Sequence, residues 1–216
     1  KEYLTKNKEF SWRAFSLPVD PERKELMKLP SSIAIDKNGD LIIASSNDHS
    51  IYKAGLDQTF EEYIVGVVYN RELVNPSGID VGTDGKVYVS DKDNNRIFAR
   101  ENNKYKNIID SNSGFKRPSA LRVLKNGSII VVCDDGKSVK RVSSNGRIST
   151  ILEFGIVSGI TDIAVYQNSD IYIVSPYENK VLKILSSNKV ELIAGADKDK
   201  GLKLSLIHIS EPTRPR

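Results

Sequence analysis

An all-β fold built from repeated antiparallel blades is predicted by three observations. The stretch from Asn75 to Ile97 reads NPSGIDVGTDGKVYVSDKDNNRI, in which short apolar runs alternate with tight polar turns. The same pattern recurs about every 42 residues, at 29–51, 117–139 and 159–181. A repeat of about 40–50 residues made of short strands is typical of a β-propeller, with one four-stranded blade per repeat. The sequence therefore predicts a β-propeller with about four blades plus a partial hairpin.

Three landmarks stay in phase through these repeats, which supports the repeat assignment. The turn position is occupied by Gly39, Gly85, Gly127 and, in the last repeat, Ser169. The first apolar anchor is Ile33, Ile79, Leu121 and Ile163. The leading proline is Pro30, Pro76 and Pro118, and Ile160 takes its place in the fourth repeat.

Each repeat supplies four strands, here named a to d. In the second repeat we predict them at 78–81, 86–90, 96–100 and 104–110. The other b strands, at 41–45, 129–133 and 171–175, are apolar on both faces, as expected for strands packed between two neighbouring blades. Strands c and d are more polar, so they should lie farther from the axis. Asn102-Asn103 and Asn145-Gly146 favour tight c–d hairpin turns.

The second repeat resembles the NHL repeat. The residues that carry this resemblance are Pro76, Gly78, Ile79, Val81, Gly85, Val87 to Val89, Asp91, Asn95, Arg96 and Ile97. The likeness covers roughly residues 29–201 and is partial elsewhere, since Cys133 and Ser175 stand in the place of Asp91. NHL-type propellers commonly have six blades, so the resemblance implies a six-bladed parent. The wider superfamily includes gluconolactonase-like enzymes, RNA binders and scaffolds, and the resemblance therefore implies the fold more specifically than the function.

The repeats divide the chain at 29–74, 75–116, 117–158 and 159–203. Residues 1–28 are interpreted as a partial preceding blade and a connector, with an unrelated lead-in as an equal alternative. Residues 204–216 do not fit the repeat, and their LSLIHISEPTR stretch resembles the translation of a sequencing adapter. We expect this segment to be a non-native tail, which would leave His49 as the native histidine.

Composition sets broad bounds on the protein. A chain of 216 residues with 39% hydrophobic residues can bury a sizeable core as one domain. The sequence has no apolar run of about 18 residues, so no transmembrane helix is predicted. A single cysteine excludes an internal disulfide and leaves the compartment open. Because Cys133 ends the apolar run IIVVC, we expect a buried small residue rather than a nucleophile.

The b–c turns and d–a loops of a propeller share one face, which is where we predict ligand binding. The predicted residues of this face are His49, Arg71, Asp91, Asp93, Asn95, Arg96, Arg117, Asp135, Lys137 and Tyr177. A simpler interpretation of each Asp and Asn is turn formation, since these side chains cap their own backbone. The sequence assigns no catalytic and no metal-ligating residue.

Three functions are consistent with this face. The preferred one is a non-catalytic propeller that binds a protein, a peptide or a glycan. The second is a divalent-metal-dependent hydrolase or lyase of the gluconolactonase-like kind, in which Asp91, Asp93, Asn95 and Asp135 would supply oxygens to a cation such as calcium. A zinc-dependent lyase of this fold would need several histidines.

The third function, RNA binding, requires a strongly positive face with stacking aromatic rings. Here the basic residues are interleaved with at least as many acids, and among these loops we expect a ring at Tyr177 alone. Nucleic acid is therefore disfavoured as a partner. The oligomeric state and the localisation stay open.

Overall fold

The computed structural model of the protein describes residues 27–55, 60–64, 67–68, 71–167, 170–185, 189–197 and 201–202. Within them the chain forms four antiparallel sheets in sequence order, the first three with four strands and the last with five. The predicted all-β propeller architecture is confirmed. The partial preceding blade and connector were predicted at 1–28 and the non-native tail at 204–216; apart from residues 27 and 28, these segments lie outside the described residues.

The four sheets are the blades, numbered in chain order. Blade 1 contains β1 Pro30–Ile35, β2 Leu41–Ser45, β3 Ser50–Ala54 and β4 Phe60–Ile64. A small hairpin follows, formed by β5 Val67–Val68 and β6 Arg71–Glu72. Blade 2 contains β7 Pro76–Val81, β8 Val87–Asp91, β9 Arg96–Glu101 and β10 Lys104–Ile109.

The second half of the chain repeats this plan. Blade 3 contains β11 Leu121–Val123, β12 Ile129–Cys133, β13 Ser138–Val142 and β14 Ile148–Leu152. Blade 4 contains β15 Asp162–Tyr166, β16 Asp170–Ser175, β17 Lys180–Ile184, β18 Val190–Asp197 and β19 Gly201–Leu202. Two short 3-10 turns, Ser111–Ser113 and Pro176–Glu178, lie in loops. The a strands of successive blades are neighbours, so these strands lie toward the axis.

The core consists of three apolar layers, each between two successive blades. The strands β8 and β12 are buried along their whole length. Successive residues of β12 face opposite neighbours: Val131 joins the layer shared with blade 2, and Ile130 joins the layer shared with blade 4. The predicted burial of these b strands on both faces is therefore confirmed.

The outer faces of blades 1 and 4 are different, because no described residues pack against them. On blade 1, Ile33 and Ile35 are 66% and 65% exposed. On blade 4, Val174 of β16 is 40% exposed. An apolar b strand is buried on two faces only when blades cover both, and the described residues cover β16 on one face.

Close backbone approach explains one repeat landmark. An added Cβ at Gly78 would lie 2.1 Å from the carbonyl oxygen of Ser119, in the next blade. The Ser90 hydroxyl donates a hydrogen bond of 2.5 Å to the same oxygen. Blades 2 and 3 thus meet at backbone distance, and glycine is needed for space. The c–d turn of blade 2 is also as predicted, since Asn102 and Asn103 both have positive φ.

No helix within the described ranges has the length and apolar character that crossing a bilayer requires.

Candidate functional site

The loop face is formed by four b–c turns, at 46–49, 92–95, 134–137 and 176–179, together with the loops that connect successive blades. Each connecting loop is hydrogen-bonded to the b–c turn of the blade before it. The backbone N–H of Asn75 donates to His49 Nδ1 at 3.0 Å, and that of Arg117 donates to Asn95 Oδ1 at 2.7 Å. In the same way, the N–H of Ile160 donates to the Gly136 carbonyl at 2.9 Å. These contacts hold turns and loops on one face.

Asp91 and Arg96 form a buried ion pair beneath the loop face. Arg96 Nε lies 2.6 Å from Asp91 Oδ2, and the two side chains are 3% and 0% exposed. The other carboxylate oxygen of Asp91 accepts the backbone N–H of Val74 at 2.9 Å. Sequence analysis predicted both residues as ligand contacts. Their side chains instead secure the chain where it enters blade 2, so neither belongs to the exposed surface.

In two other blades, an acidic side chain of the b–c turn also accepts a backbone N–H from the chain that enters the blade, a role that the sequence analysis did not predict. In blade 1, Asp48 Oδ2 accepts the N–H of Lys28 at 2.6 Å and the Ser45 hydroxyl at 2.5 Å. In blade 4, Glu178 Oε1 accepts the N–H of Ser158 at 2.8 Å. Ser45 occupies in the first repeat the position that Asp91 occupies in the second. An acid nearby in the same turn, Asp48, was therefore the sequence signal for this role.

Arg117 is the centre of a group of paired charges on the loop face. Its Nη1 lies 2.7 Å from Asp93 Oδ1, and its Nε lies 2.6 Å from Asp135 Oδ1. Lys92 Nζ is 3.4 Å from the same Asp135 oxygen. The hydrogen bond from Arg117 holds the pKa of Asp135 below its usual range, and the Asp135 carboxylate raises the pKa of Arg117. These charges are therefore largely compensated within the protein.

The oxygens considered for a cation do not converge. Asp91 is bound to Arg96, while Asp93 and Asp135 are bound to different nitrogens of Arg117. Across the part of the chain that the structure describes, no group of three His, Cys, Asp or Glu side chains could hold a metal ion.

Three exposed apolar side chains lie on the loop face near the b–c turns of blades 3 and 4. We call them, together with Lys137, the aromatic patch: Lys137, Phe154, Ile156 and Tyr177. Tyr177 is 85% exposed, Phe154 is 64% exposed and Ile156 is 44% exposed. Lys137 Nζ lies over the Phe154 ring, 5.4 Å from its centroid. The Tyr177 ring lies against Gly159, where an added Cβ would be 2.3 Å from Cδ2.

Sequence analysis found only Lys137 and Tyr177 of this patch. Phe154 and Ile156 flank Gly155 in a short apolar run between blades 3 and 4, and that run was the signal for an exposed loop. Of the other predicted residues, His49 is exposed and has positive φ. Arg71 pairs with Val68 in the small hairpin, and its side chain lies outside the described residues.

Cys133 has no exposed thiol. The residue is fully buried, and burial raises the pKa of the thiol. The prediction of a buried small residue is confirmed, since a nucleophilic cysteine needs an accessible thiolate.

A groove of about 520 Å³ lies at the opposite end of the strands, between blades 2 and 3. Tyr88, Tyr105 and Ile108 contribute to its lining. The Tyr88 hydroxyl donates to Asp84 Oδ2 at 3.0 Å. Burial, together with the Asp84 charge, raises the pKa of Tyr88 to about 12. Sequence analysis did not predict this groove, because its walls come from two different repeats.

Comparison with known families identifies the central repeat. Residues 73–99, which span β7, β8 and most of β9, match the model of the NHL repeat. The chain carries an NHL repeat. The surrounding sheets are propeller blades, so this repeat lies within the β-propeller that the sequence predicted. A search of curated proteins finds no match to the chain.

Solved structures with the same fold have different activities. A streptogramin B lyase is 22% identical, with a TM-score of 0.61 over 76% of this chain and 53% of that one. A gluconolactonase-like protein is 10% identical, with a TM-score of 0.62 over 78% and 63%. A chain of the nidogen/laminin complex is 17% identical, with a TM-score of 0.64 over 77% and 64%.

At these identities the likeness concerns the fold alone. The NHL propeller described here spans about half the length of the lyase. That the complete propeller has six blades remains a prediction.

Proposed function

We propose that this NHL propeller is a non-catalytic binding domain whose loop face takes a segment of another protein. The observation that carries the proposal is the 85% exposure of Tyr177 on a face whose Asp and Arg side chains are paired with each other. Exposed tyrosine is enriched at interfaces because it offers a large, rigid contact area at a low entropic cost. Charged side chains that are already paired within the protein, in contrast, gain little by binding a ligand.

The size of the apolar contact supports a protein segment as the ligand. Burying an apolar side chain of this kind contributes about 1.5–3 kcal/mol before the entropic cost of association. Phe154 and Ile156 lie on the same connecting loop, and both are largely exposed. Side chains from a short segment can therefore reach more than one of them at once. A glycan, the other predicted ligand, would stack on the rings alone.

The alternative of a metal-dependent hydrolase or lyase has less support on this face. The carboxylates of Asp91, Asp93 and Asp135 are bound to arginines. The likeness to a lyase and to a gluconolactonase-like protein, at 22% and 10% identity, bears on the fold and implies no reaction here. RNA binding is also disfavoured, since a phosphate backbone is bound by many cations at once, and Lys92, Arg117 and Lys180 already have carboxylate partners on this face.

The test uses a displayed library of random 12-residue peptides, selected against the full chain. Binding of the enriched peptides is then measured with Tyr177→Ser and with Tyr166→Ser. Tyr166 is a matched control, because it is 60% exposed but lies at the opposite end of a strand, beside the a–b turn of blade 4.

We expect Tyr177→Ser to weaken binding at least tenfold, and Tyr166→Ser to leave it unchanged. Enriched peptides that bind equally well to both variants and to every other loop-face variant would contradict the proposal.

A further inference from the structure

We infer that the aromatic patch recognises an acidic segment with an apolar flank: a carboxylate binds Lys137, and a neighbouring apolar side chain packs against Phe154 and Tyr177. This inference rests on the proposed function and specifies the chemistry of the partner. The cations of the loop face form two groups, those with a carboxylate partner and those without one in the described ranges.

The paired cations all have carboxylate partners inside the protein. Lys92 is 3.4 Å from Asp135, and Lys180 is 3.6 Å from Glu178. Arg117 spans two carboxylates, at 2.7 and 2.6 Å. A ligand carboxylate would have to displace an internal partner at each of these positions.

Lys137 differs from these cations. Among the described residues it has no carboxylate partner, and its ammonium lies over the Phe154 ring. A cation–π contact at an exposed site is weak and leaves the ammonium N–H groups free to donate. Lys116 is also exposed without an ion pair in the described ranges, and its carbonyl accepts the N–H of Asp134 in the same b–c turn. Lys137 in this turn and Lys116, whose backbone is bound to it, are thus both without a carboxylate partner in the described ranges.

The apolar side chains of the patch are held in place by an anchored loop. The backbone N–H of Gly155 donates to the Lys137 carbonyl at 3.3 Å, and that of Ile156 donates to the Glu153 carbonyl at 3.4 Å. Beneath them, Val157 and Ile160 are 2% and 3% exposed in the core between blades 3 and 4. A surface that is already ordered loses less entropy when a ligand binds.

The acids around the patch favour a peptide over an anionic membrane. Glu153 is exposed at the start of the same loop, and Glu178 lies beside Tyr177. A lipid surface would bring many negative charges against these acids at once. A peptide brings one carboxylate, which can be directed to Lys137 while its neighbours avoid Glu153.

The experiment uses the same displayed library and the full chain. We expect the enriched peptides to carry Asp or Glu next to an aromatic or aliphatic residue. In fluorescence anisotropy, Lys137→Glu should weaken binding at least tenfold, and a peptide whose acid is replaced by lysine should regain much of that loss. Lys104→Glu is the matched control, since Lys104 is exposed on a c–d hairpin at the other end of the blades. Lys137→Gln serves as a second variant if Lys137→Glu does not fold.

The outcomes separate this inference from the proposed function. Binding that needs Tyr177 but is unchanged by Lys137→Glu and by Lys137→Gln would overturn the inference and leave the proposed function standing. Peptides whose binding depends on no loop-face residue would overturn both. Vesicles of phosphatidylserine that bind in a Lys137-dependent manner, when acidic peptides do not bind, would also overturn the inference.

Discussion

Arg117 Nη1 lies 2.7 Å from Asp93 Oδ1, and this contact joins the start of the third repeat to the b–c turn of blade 2. The same guanidinium reaches Asp135, in the b–c turn of blade 3, through Nε at 2.6 Å. One side chain therefore connects the turns of two blades on the loop face. Because Asp93 and Asp135 are about a third and a half exposed, the connection is made in contact with solvent.

Arg117→Ala should lower the free energy of unfolding only modestly. We expect a loss of about 0.5–1 kcal/mol, since ion pairs exposed to water are weak and are screened by salt. Urea unfolding at low and at high salt measures this loss, with Lys104→Ala as an unpaired control. A loss that does not shrink in high salt would mean that Arg117 acts through packing rather than through charge.

The stability contributed by Asp135 should depend on pH. Arg117 lowers the pKa of Asp135 in the folded protein, so between the folded and unfolded pKa values the unfolded chain binds more protons. The contribution is therefore present above the unfolded pKa of about 4 and is lost as pH falls through the folded value. We expect the wild type to be slightly more stable than Asp135→Asn at pH 7, by about 0.5 kcal/mol after solvent screening.

Below the folded pKa of Asp135 that difference should vanish, because the carboxyl is then protonated in both states. Urea unfolding at several pH values measures it. An advantage that grows on acidification would have the wrong sign for this ion pair.

The buried pair of Asp91 and Arg96 should be strongly coupled. Asp91→Ser leaves a buried guanidinium without its carboxylate, which should lower the free energy of unfolding by about 3–5 kcal/mol. Arg96→Ser leaves the buried carboxylate without its guanidinium, and we expect a loss of the same size. The double variant should lose less than the two single losses added together. It reproduces blade 1, where Ser45 and Ser50 form the equivalent cross-strand pair.

A double-mutant cycle in urea measures this coupling, which we expect to be about 1–3 kcal/mol. Additive losses would show that the two side chains act independently.

Gly78→Ala should be destabilising through steric contact alone. The added Cβ meets the Ser119 carbonyl at 2.1 Å, so we expect a loss of about 3 kcal/mol. Gly155→Ala is the comparison, because Gly155 has open space around it but φ of 87°. That variant should lose about 1–2 kcal/mol through backbone strain. Equal tolerance of both changes would contradict the close approach of blades 2 and 3.

Tyr88 should ionise at a higher pH than an exposed tyrosine. Burial and the nearby Asp84 raise its pKa to about 12, compared with about 10 for a free side chain. A pH titration followed by tyrosinate absorbance should therefore show a phase at high pH. Tyr88→Phe should remove this phase, and Tyr166→Phe should leave it in place. Because the folded protein holds this proton more tightly, the stability it contributes is complete below pH 10 and is lost as pH rises toward 12.

Much of the fold could be predicted because its determinants are local. The observed β8, Val87–Asp91, differs by one residue from the strand predicted at 86–90, and the turn at Asn102 and Asn103 has the predicted left-handed backbone. Alternation of apolar residues and the turn chemistry of Asn and Gly operate over a few neighbouring positions. The 40% exposure of Val174 is not a local property, because it depends on which blades cover β16.

The candidate site was predicted only as a set of loops. Sequence could not tell that Asp91 is buried while Asp93, two residues later, is exposed and bound to Arg117. It also did not distinguish Lys137, an unpaired cation in the described structure, from Lys92, which is paired. These differences come from partners supplied by other strands and by the next blade.

The sequence by itself determined the repeat, the strands, the turns and the face on which the loops meet, because each follows from patterns within one repeat. Only the tertiary structure decided which loop side chains are buried, which charges are compensated and where the aromatic patch lies. The physical reason is that burial and ion pairing depend on atoms brought together from different repeats. Phe154 follows blade 3 and Tyr177 lies in blade 4, so their placement on the same loop face depends on the packing of these two blades, which no local pattern records.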